Sequence, residues 1–301
     1  MIEQLLIDPI SKKNLTIDYQ SNSINHLDKE KFYSNINERV ITILPKETSP
    51  NLRKSELHLQ NNSTFKYLEH YSNDAKYFDY TNLHTHPVTS DEQNRLQETI
   101  INQVPEDAYT ILDVGCGCGW VSKRLTTEKR KVISMDVSIT NPQKAVSSFP
   151  HKNHYGLVAD AFNLPIKPNS IDCIIASEIM EHISDPQLFI GKLLEALKPE
   201  GTLIITTPYD EKIELHLCVN CNQLTPAHAH LHSFNLKTVR SLLPSNLKHV
   251  HASTFSNKAL LKLRLSYLFR KAPYSIWKLI DKLANRVINK PTRLLLVLNK
   301  G

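Results

Sequence analysis

Residues 111–120 read ILDVGCGCGW. An apolar run interrupted by Asp113 leads into a loop in which Gly115, Gly117 and Gly119 alternate with Cys116 and Cys118. A run this short and continuous reads as a strand buried on both faces. Glycine at the carboxyl end of such a strand permits positive φ and lets a ligand approach the backbone. Dinucleotide loops use G-x-G-x-x-G, which sets pyrophosphate on a helix N-terminus. Here the spacing is G-x-G-x-G, with a carboxylate two residues before the first glycine. That carboxylate would repel pyrophosphate and attract a cationic amino group, as in the aminoacyl end of S-adenosylmethionine.

Strand and helix patterns alternate outward from this loop. YTILDV is followed by a helix starting near Trp120, strand KVISMD, a helix near NPQKAVSSF, strands HYGLVA and IDCIIAS, helix DPQLFIGKLLEAL, and strand GTLIITTP. The pattern predicts an α/β, Rossmann-like, doubly wound and mostly parallel sheet over 108–301, with a last apolar strand at RLLLVLN, and a small β-rich appendage at 1–46. Between them, 47–107 reads as a polar linker and a helix SDEQNRLQETIINQV capped at Ser90 or Asp91. Inserts at 216–234 and 258–290 interrupt the later part.

Two further acids sit at strand ends. Asp136 in ISMDVS lies about 20 residues past the loop, where a carboxylate accepts from ribose hydroxyls. Asp160 in LVADAFNLP is placed to accept from an adenine amino group. With these motifs in order, and with LKPEGTLIITTP after them, residues 108–208 resemble a class I S-adenosylmethionine-dependent methyltransferase. The resemblance implies a seven-stranded sheet with RLLLVLN as its last, antiparallel strand, and a cofactor pocket of Asp113, Gly115, Cys116, Gly117, Gly119, Asp136, Val137, Asp160, Ala161 and Ser177. Cys116 and Cys118 then matter for their backbone, since thiolate ligation would crowd the cofactor.

Methyl transfer is an in-line displacement that depends mainly on alignment, with a base only where the acceptor must lose a proton. After the fourth core strand, SEIMEHI places Glu178, Glu181 and His182 in E-x-x-E-H spacing. A helical turn starting near Glu178 would bring them to one face. His182 is the candidate base. The motif also resembles those of quinone-biosynthesis O-methyltransferases and RNA 3′-end 2′-O-methyltransferases, which implies a divalent-cation site as an alternative. A role lining the cofactor is a third.

Five cysteines without a secretory leader point to thiols or metal ligands rather than disulfides. CVNCNQLTPAHAHLHSF offers Cys218 and Cys221, followed by His228, His230 and His232. A zinc knuckle from Cys218, Cys221, His230 and His232 is one expectation. Thiols with histidines lining the acceptor entrance are another, and a redox pair a third. The N-terminal segment LLIDPISKKNLTID resembles a zinc-ribbon-like domain of methyltransferase activators, with DPIS where the family has Cys-Pro-x-Cys. No cysteine precedes Cys116, so the metal of that domain is lost.

The net charge of +6 is uneven. Lys258–Lys290 holds nine Lys/Arg and only Asp281 as an acid, so the rest of the chain carries a net −2. Two amphipathic helices are expected there, the second with Ile276, Leu279, Ile280, Leu283 and Val287 at i, i+3, i+4 spacing. They are expected to cap the sheet with a solvated basic face. Alternatives are an anionic membrane surface or lipid-linked acceptor, and nucleic acid, for which no interleaved aromatic platform is present. No apolar stretch spans a membrane and the first residues lack the pattern of a signal peptide, so a cytoplasmic protein, at most peripheral at a membrane, is expected. The reading is a methyltransferase acting on a small molecule, glycan or lipid-linked precursor. RNA or protein is the second acceptor class, and a degenerate cofactor-binding module is the non-catalytic alternative.

Overall fold

The computed structural model describes residues 2–37, 39–46, 65–78, 87–219, 222–262, 269 and 271–301. Its strands in chain order are β1 (Thr16–Asp18), β2 (Ser23–Asn25), β3 (Phe32–Asn37), β4 (Val40–Pro45), β5 (Thr110–Val114), β6 (Lys131–Asp136) and β7 (His154–Ala159). They continue with β8 (Ile171–Ser177), β9 (Leu197–Pro208), β10 (Leu215–Leu217), β11 (Leu224–Pro226), β12 (Leu247–Asn257) and β13 (Pro291–Lys300). The helices are α1 (Tyr67–Tyr77), α2 (Pro87–Ile101), α3 (Trp120–Leu125), α4 (Thr140–Ser148), α5 (Pro186–Ala196), α6 (Leu236–Arg240), α7 (Lys258–Lys262) and α8 (Tyr274–Val287).

One sheet runs in the order β12-β13-β9-β8-β5-β6-β7-β4-β3. The six strands from β9 to β4 are parallel, and β13, β12 and β3 are antiparallel to their neighbours. The expected seven strands are present. The N-terminal segment, however, is no separate appendage: β4 pairs in parallel with β7, from Val40↔Gly156 to Ile43↔Ala159, and the sheet becomes nine-stranded. The reason is in VITIL, a strand-long β-branched run that covers the otherwise open β7 edge.

Alternation along the strands divides the core. Leu112, Ile133, Ile174, Leu203 and Leu296 face α1, α5 and the N-terminal Ile2 and Leu6. Ile111, Val132, Ile175, Ile204 and Leu295 face α2, α3 and Trp277 of α8. Both faces are therefore covered, as the continuous apolar runs require.

Asp8, at the DPIS turn, is fully buried and organises the loop where a thiolate pair would close a zinc knuckle. Its Oδ1 accepts from the N–H of Ile10 (3.0 Å) and Ser11 (2.6 Å), and its Oδ2 from that of Asp28 (3.1 Å). Burial pushes the Asp8 carboxyl up, but these donors outweigh it and hold the group below the usual carboxylate range.

Two expectations change in the helices. α2 begins at Pro87, so Asp91 is a buried residue inside it, 3.9 Å from Arg95, rather than a cap. In α8 the predicted apolar stripe does not face the sheet: Trp277 and Asp281 do, while Ile276, Leu279, Leu283 and Val287 are exposed. The cause is Asp281, whose carboxylate accepts from the N–H of Ser256 (3.0 Å) and Asn257 (2.7 Å) at the end of β12 and rolls the helix onto that side. No described helix is long and apolar enough to cross a membrane.

Candidate cofactor and acceptor site

The site forms where β5, β6, β7 and β8 end, because the glycine loop, both strand-end acids and the SEIMEHI turn all follow parallel strands. The loop turns tightly: the N–H groups of Gly115 and Cys116 both donate to the Met135 carbonyl, at 2.8 and 3.0 Å. Gly119 (φ +76°) starts α3, and a Cβ there would stand 2.7 Å from Cβ of Ala145 in α4. Gly117 (φ +48°) differs, since nothing lies within 4 Å of where its Cβ would be. Burial pushes the thiols of Cys116 and Cys118 up.

Asp113 is buried, and its Oδ2 has no hydrogen-bond partner. Burial first, and then the nearby Asp136, push its carboxyl well above the usual range. An orphaned carboxylate oxygen beside open backbone is the complement of an ammonium group. Asp136 is held ready at the end of β6: Ser138 N–H donates to Oδ1 and Asn141 Nδ2 to Oδ2, both at 2.9 Å. Burial raises it as well. Val137 follows in the same turn, and Ala161 is buried. Ser177 pairs its hydroxyl with Thr206 at 3.2 Å.

Asp160 is more heavily engaged than its sequence position suggests. Its Oδ2 accepts from Tyr67 Oη and Asn163 Nδ2, each at 2.8 Å, and Oδ1 accepts from Phe162 N–H at 3.1 Å. It anchors α1 over this end of the cleft. Tyr67 and Tyr71 lie in the stretch that reads as a polar linker and belong to none of the sequence motifs. Tyr71 packs edge-on against His182, with ring centroids 5.8 Å apart.

SEIMEHI does not form the expected α-helical face. Glu178 takes φ +54° and its carboxylate is turned to Arg293 of β13, 2.9 Å away. A 3-10 turn over Met180–His182 then carries Glu181 and His182. Thr207 donates to Glu181 Oε2 (2.9 Å), and the Glu181 carbonyl accepts from Leu231 (2.7 Å) and His232 (3.2 Å), which ties the Cys/His insert to the turn. Burial and then Glu178 push Glu181 well above the usual range.

His182 Nδ1 bonds the Ala229 carbonyl at 3.3 Å, which makes Nδ1 the donor and leaves Nε2 with its lone pair. Burial, and after it His230, push the imidazole pKa down to about 4, so it is neutral at pH 7. His230 Nδ1 meets Glu211 at 2.6 Å, and its ring centroid lies 4.8 Å from that of His182. Among the described residues, ligand atoms of Glu181, His182 and His230 gather within 4.8 Å of one another.

The insert therefore divides. His230 joins the site, whereas the buried Nε2 of His232 has no partner and its ring packs on Phe234. Cys218 closes the β10–β11 turn through its backbone, and Cys221 lies outside the described residues. The only described cluster of three donors does not include Cys218. Arg293 and Thr207 belong to no motif of the sequence; they reach the site from β13 and β9 through sheet pairing.

A malonyl-[acyl-carrier protein] O-methyltransferase of Hahella chejuensis is 26% identical over 126 residues, covering 41% of this chain and 45% of the relative. A ubiquinone biosynthesis O-methyltransferase of Bartonella bacilliformis is 34% identical over 108 residues, covering 34% of this chain and 42% of its own length. The chain thus spans less than half the length of these curated relatives. The crystal structure of an S-adenosylmethionine dependent methyltransferase from Mesorhizobium loti aligns with a TM-score of 0.50 at 17% identity, over 70% of this chain and 100% of its own, which shows a shared fold. A family profile described as "Methyltransferase domain" matches residues 64–246, more than half of the chain. The chain belongs to the methyltransferase-domain family, with the class I, Rossmann-like architecture.

Proposed function

We propose that the protein transfers the methyl group of S-adenosylmethionine to an oxygen of a small-molecule, glycan or lipid-linked acceptor at the carboxyl edge of the sheet. The observation that carries the cofactor assignment is the buried, partnerless Oδ2 of Asp113 beside the open backbone of Gly117. The residues fit: Asp113 would hold the ammonium group, Asp136 the ribose hydroxyls, and the glycine loop the aminoacyl tail. When bound, the cofactor supplies an electrophilic methyl on a sulfonium. The names of the curated relatives favour an oxygen acceptor.

The chain's own part is to exclude water, orient the acceptor and move a proton. Tyr71, His182 and His230 form an aromatic wall beside the cleft. His182 Nε2, neutral and carrying its lone pair, is the group to receive an acceptor proton. The imidazolium so formed would favour the ionised form of Glu181 beside it, 4.0 Å away.

The proposal predicts measurable binding of S-adenosylmethionine by titration calorimetry. Asp113→Asn and Asp136→Ala should each weaken it by about tenfold or more, since a charge-assisted hydrogen bond contributes roughly 1.5–3 kcal/mol. Unchanged affinity in both variants would overturn the assignment. With labelled cofactor and fractionated extracts, label is expected in small-molecule or lipid fractions; label confined to RNA or protein would reassign the acceptor class.

A second reading rests on the Glu181, His182 and His230 cluster: two imidazoles and a carboxylate suit a divalent cation that would hold the acceptor oxygen. Titration with MnCl₂ separates the readings. Binding lost in His230→Ala supports the cation, and absence of binding to the wild type leaves His182 as the base.

A further inference from the structure

We propose that the outward face of α8 docks the protein on an anionic lipid bilayer. Ile276, Leu279, Leu283 and Val287 form one row along α8, at 49%, 57%, 51% and 84% exposure. They are aliphatic, turned to solvent, and on a helix whose opposite side is pinned by Trp277 and Asp281. Beside this row runs a second, four residues apart: Lys278, Lys282 and Arg286, all exposed and all cationic. Asp281 is the only acid between Lys258 and Lys290, and it is buried on Ser256 and Asn257, so the exposed charge of the described part of this segment is entirely positive.

An apolar row bordered by cations along one helix is the pattern that sinks into the headgroup boundary and attracts anionic lipid. Two other occupants fit less well. A second copy of the chain meeting on this face would bring two like-charged rows together. RNA would satisfy the cations but leave the aliphatic row without a counterpart, because bases stack on aromatic rings.

The position adds a consequence. β12 ends at Asn257 and β13 starts at Pro291, paired with each other, while Arg293 pairs across β9 with Pro208. α8, held on Ser256 and Asn257, therefore hangs from the carboxyl edge of the sheet, the edge that carries Glu178 and the cofactor loop. Docking would set the acceptor site beside the lipid surface. The docking proposal itself does not depend on methyl transfer.

The test is vesicle flotation of the full chain, comparing pure phosphatidylcholine with vesicles of about 25% phosphatidylglycerol, together with light scattering, thermal melting and S-adenosylmethionine affinity. The wild type should float with the anionic vesicles and much less with the neutral ones. Leu279→Ser/Leu283→Ser and Lys278→Glu/Lys282→Glu should each lower the bound fraction by about fivefold or more, with melting temperature and cofactor affinity unchanged. No flotation of the wild type, or equal flotation of the variants, would overturn the proposal. So would a leucine-dependent dimer without vesicle binding, an RNA gel shift without it, or a lower melting temperature in the serine variant, which would show the row covered by the chain itself. Flotation without cofactor binding would leave the docking intact and remove only the enzyme assignment.

Discussion

His182 shows how much a single residue's role depends on what surrounds it. In sequence it is a histidine two places past a methionine; in the fold it is half-buried between Tyr71, His230 and Glu181, with its pKa pushed down to about 4. A folded-state pKa below the unfolded value of about 6.5 means the unfolded chain binds the extra proton first. The stability His182 contributes is thus present above pH 6.5 and lost as the pH falls toward 4. Between pH 7 and pH 5 this costs about 2 kcal/mol. His182→Gln, which lacks the titration, should lose about that much less over the same interval in urea unfolding. An equal pH dependence in the two proteins would mean that His182 is solvated and free to charge. Asp113 carries the complementary lesson: its acidity was legible in the sequence, but the lack of a partner for its Oδ2, on which its proposed role rests, was not.

At the scale of elements, the backbone turn of the glycine loop was legible because its demands are local. Gly119 needs both positive φ and room against Ala145 of α4. Gly119→Ala should destabilise the protein by about 2–4 kcal/mol, combining left-handed strain with overpacking. Gly119→Ala/Ala145→Gly should recover part of that loss in the same denaturation experiment, whereas full additivity would show that the contact is not the cause. Helices defined by periodicity alone fared differently. α8 has a clear apolar row, and periodicity assigns that row to the core. Two backbone N–H groups left open at the end of β12 drew Asp281 inward instead, since burying them unpaired would cost about 1–3 kcal/mol each. Likewise the E-x-x-E-H spacing implied one helical face, but the left-handed backbone at Glu178 sends that carboxylate to Arg293, on a strand more than a hundred residues later.

For the whole molecule, the nine-stranded sheet makes the N-terminal segment part of the fold. β3 and β4 cover the β7 edge, and Ile2, Leu6, Ile41 and Ile43 join the main core. Deleting residues 2–46 should expose the β7 edge and its apolar neighbours, giving a chain that aggregates on refolding, visible by light scattering. A monomeric, cofactor-binding truncation would instead show the segment to be an independent module.

The sequence by itself determined the succession of six core strands, the glycine loop and the two strand-end acids, because short-range rules govern them: buried runs, glycine backbone freedom and a carboxylate at a strand end. Only the tertiary structure decided which segments meet at the acceptor side. Tyr71, His182, His230 and Arg293 come from four separate regions of the chain, and sheet pairing together with the docking of α1 and the insert brings them to one edge. Contacts of that kind are set by competition for burial and for hydrogen-bond partners across the whole molecule, which no local spacing encodes.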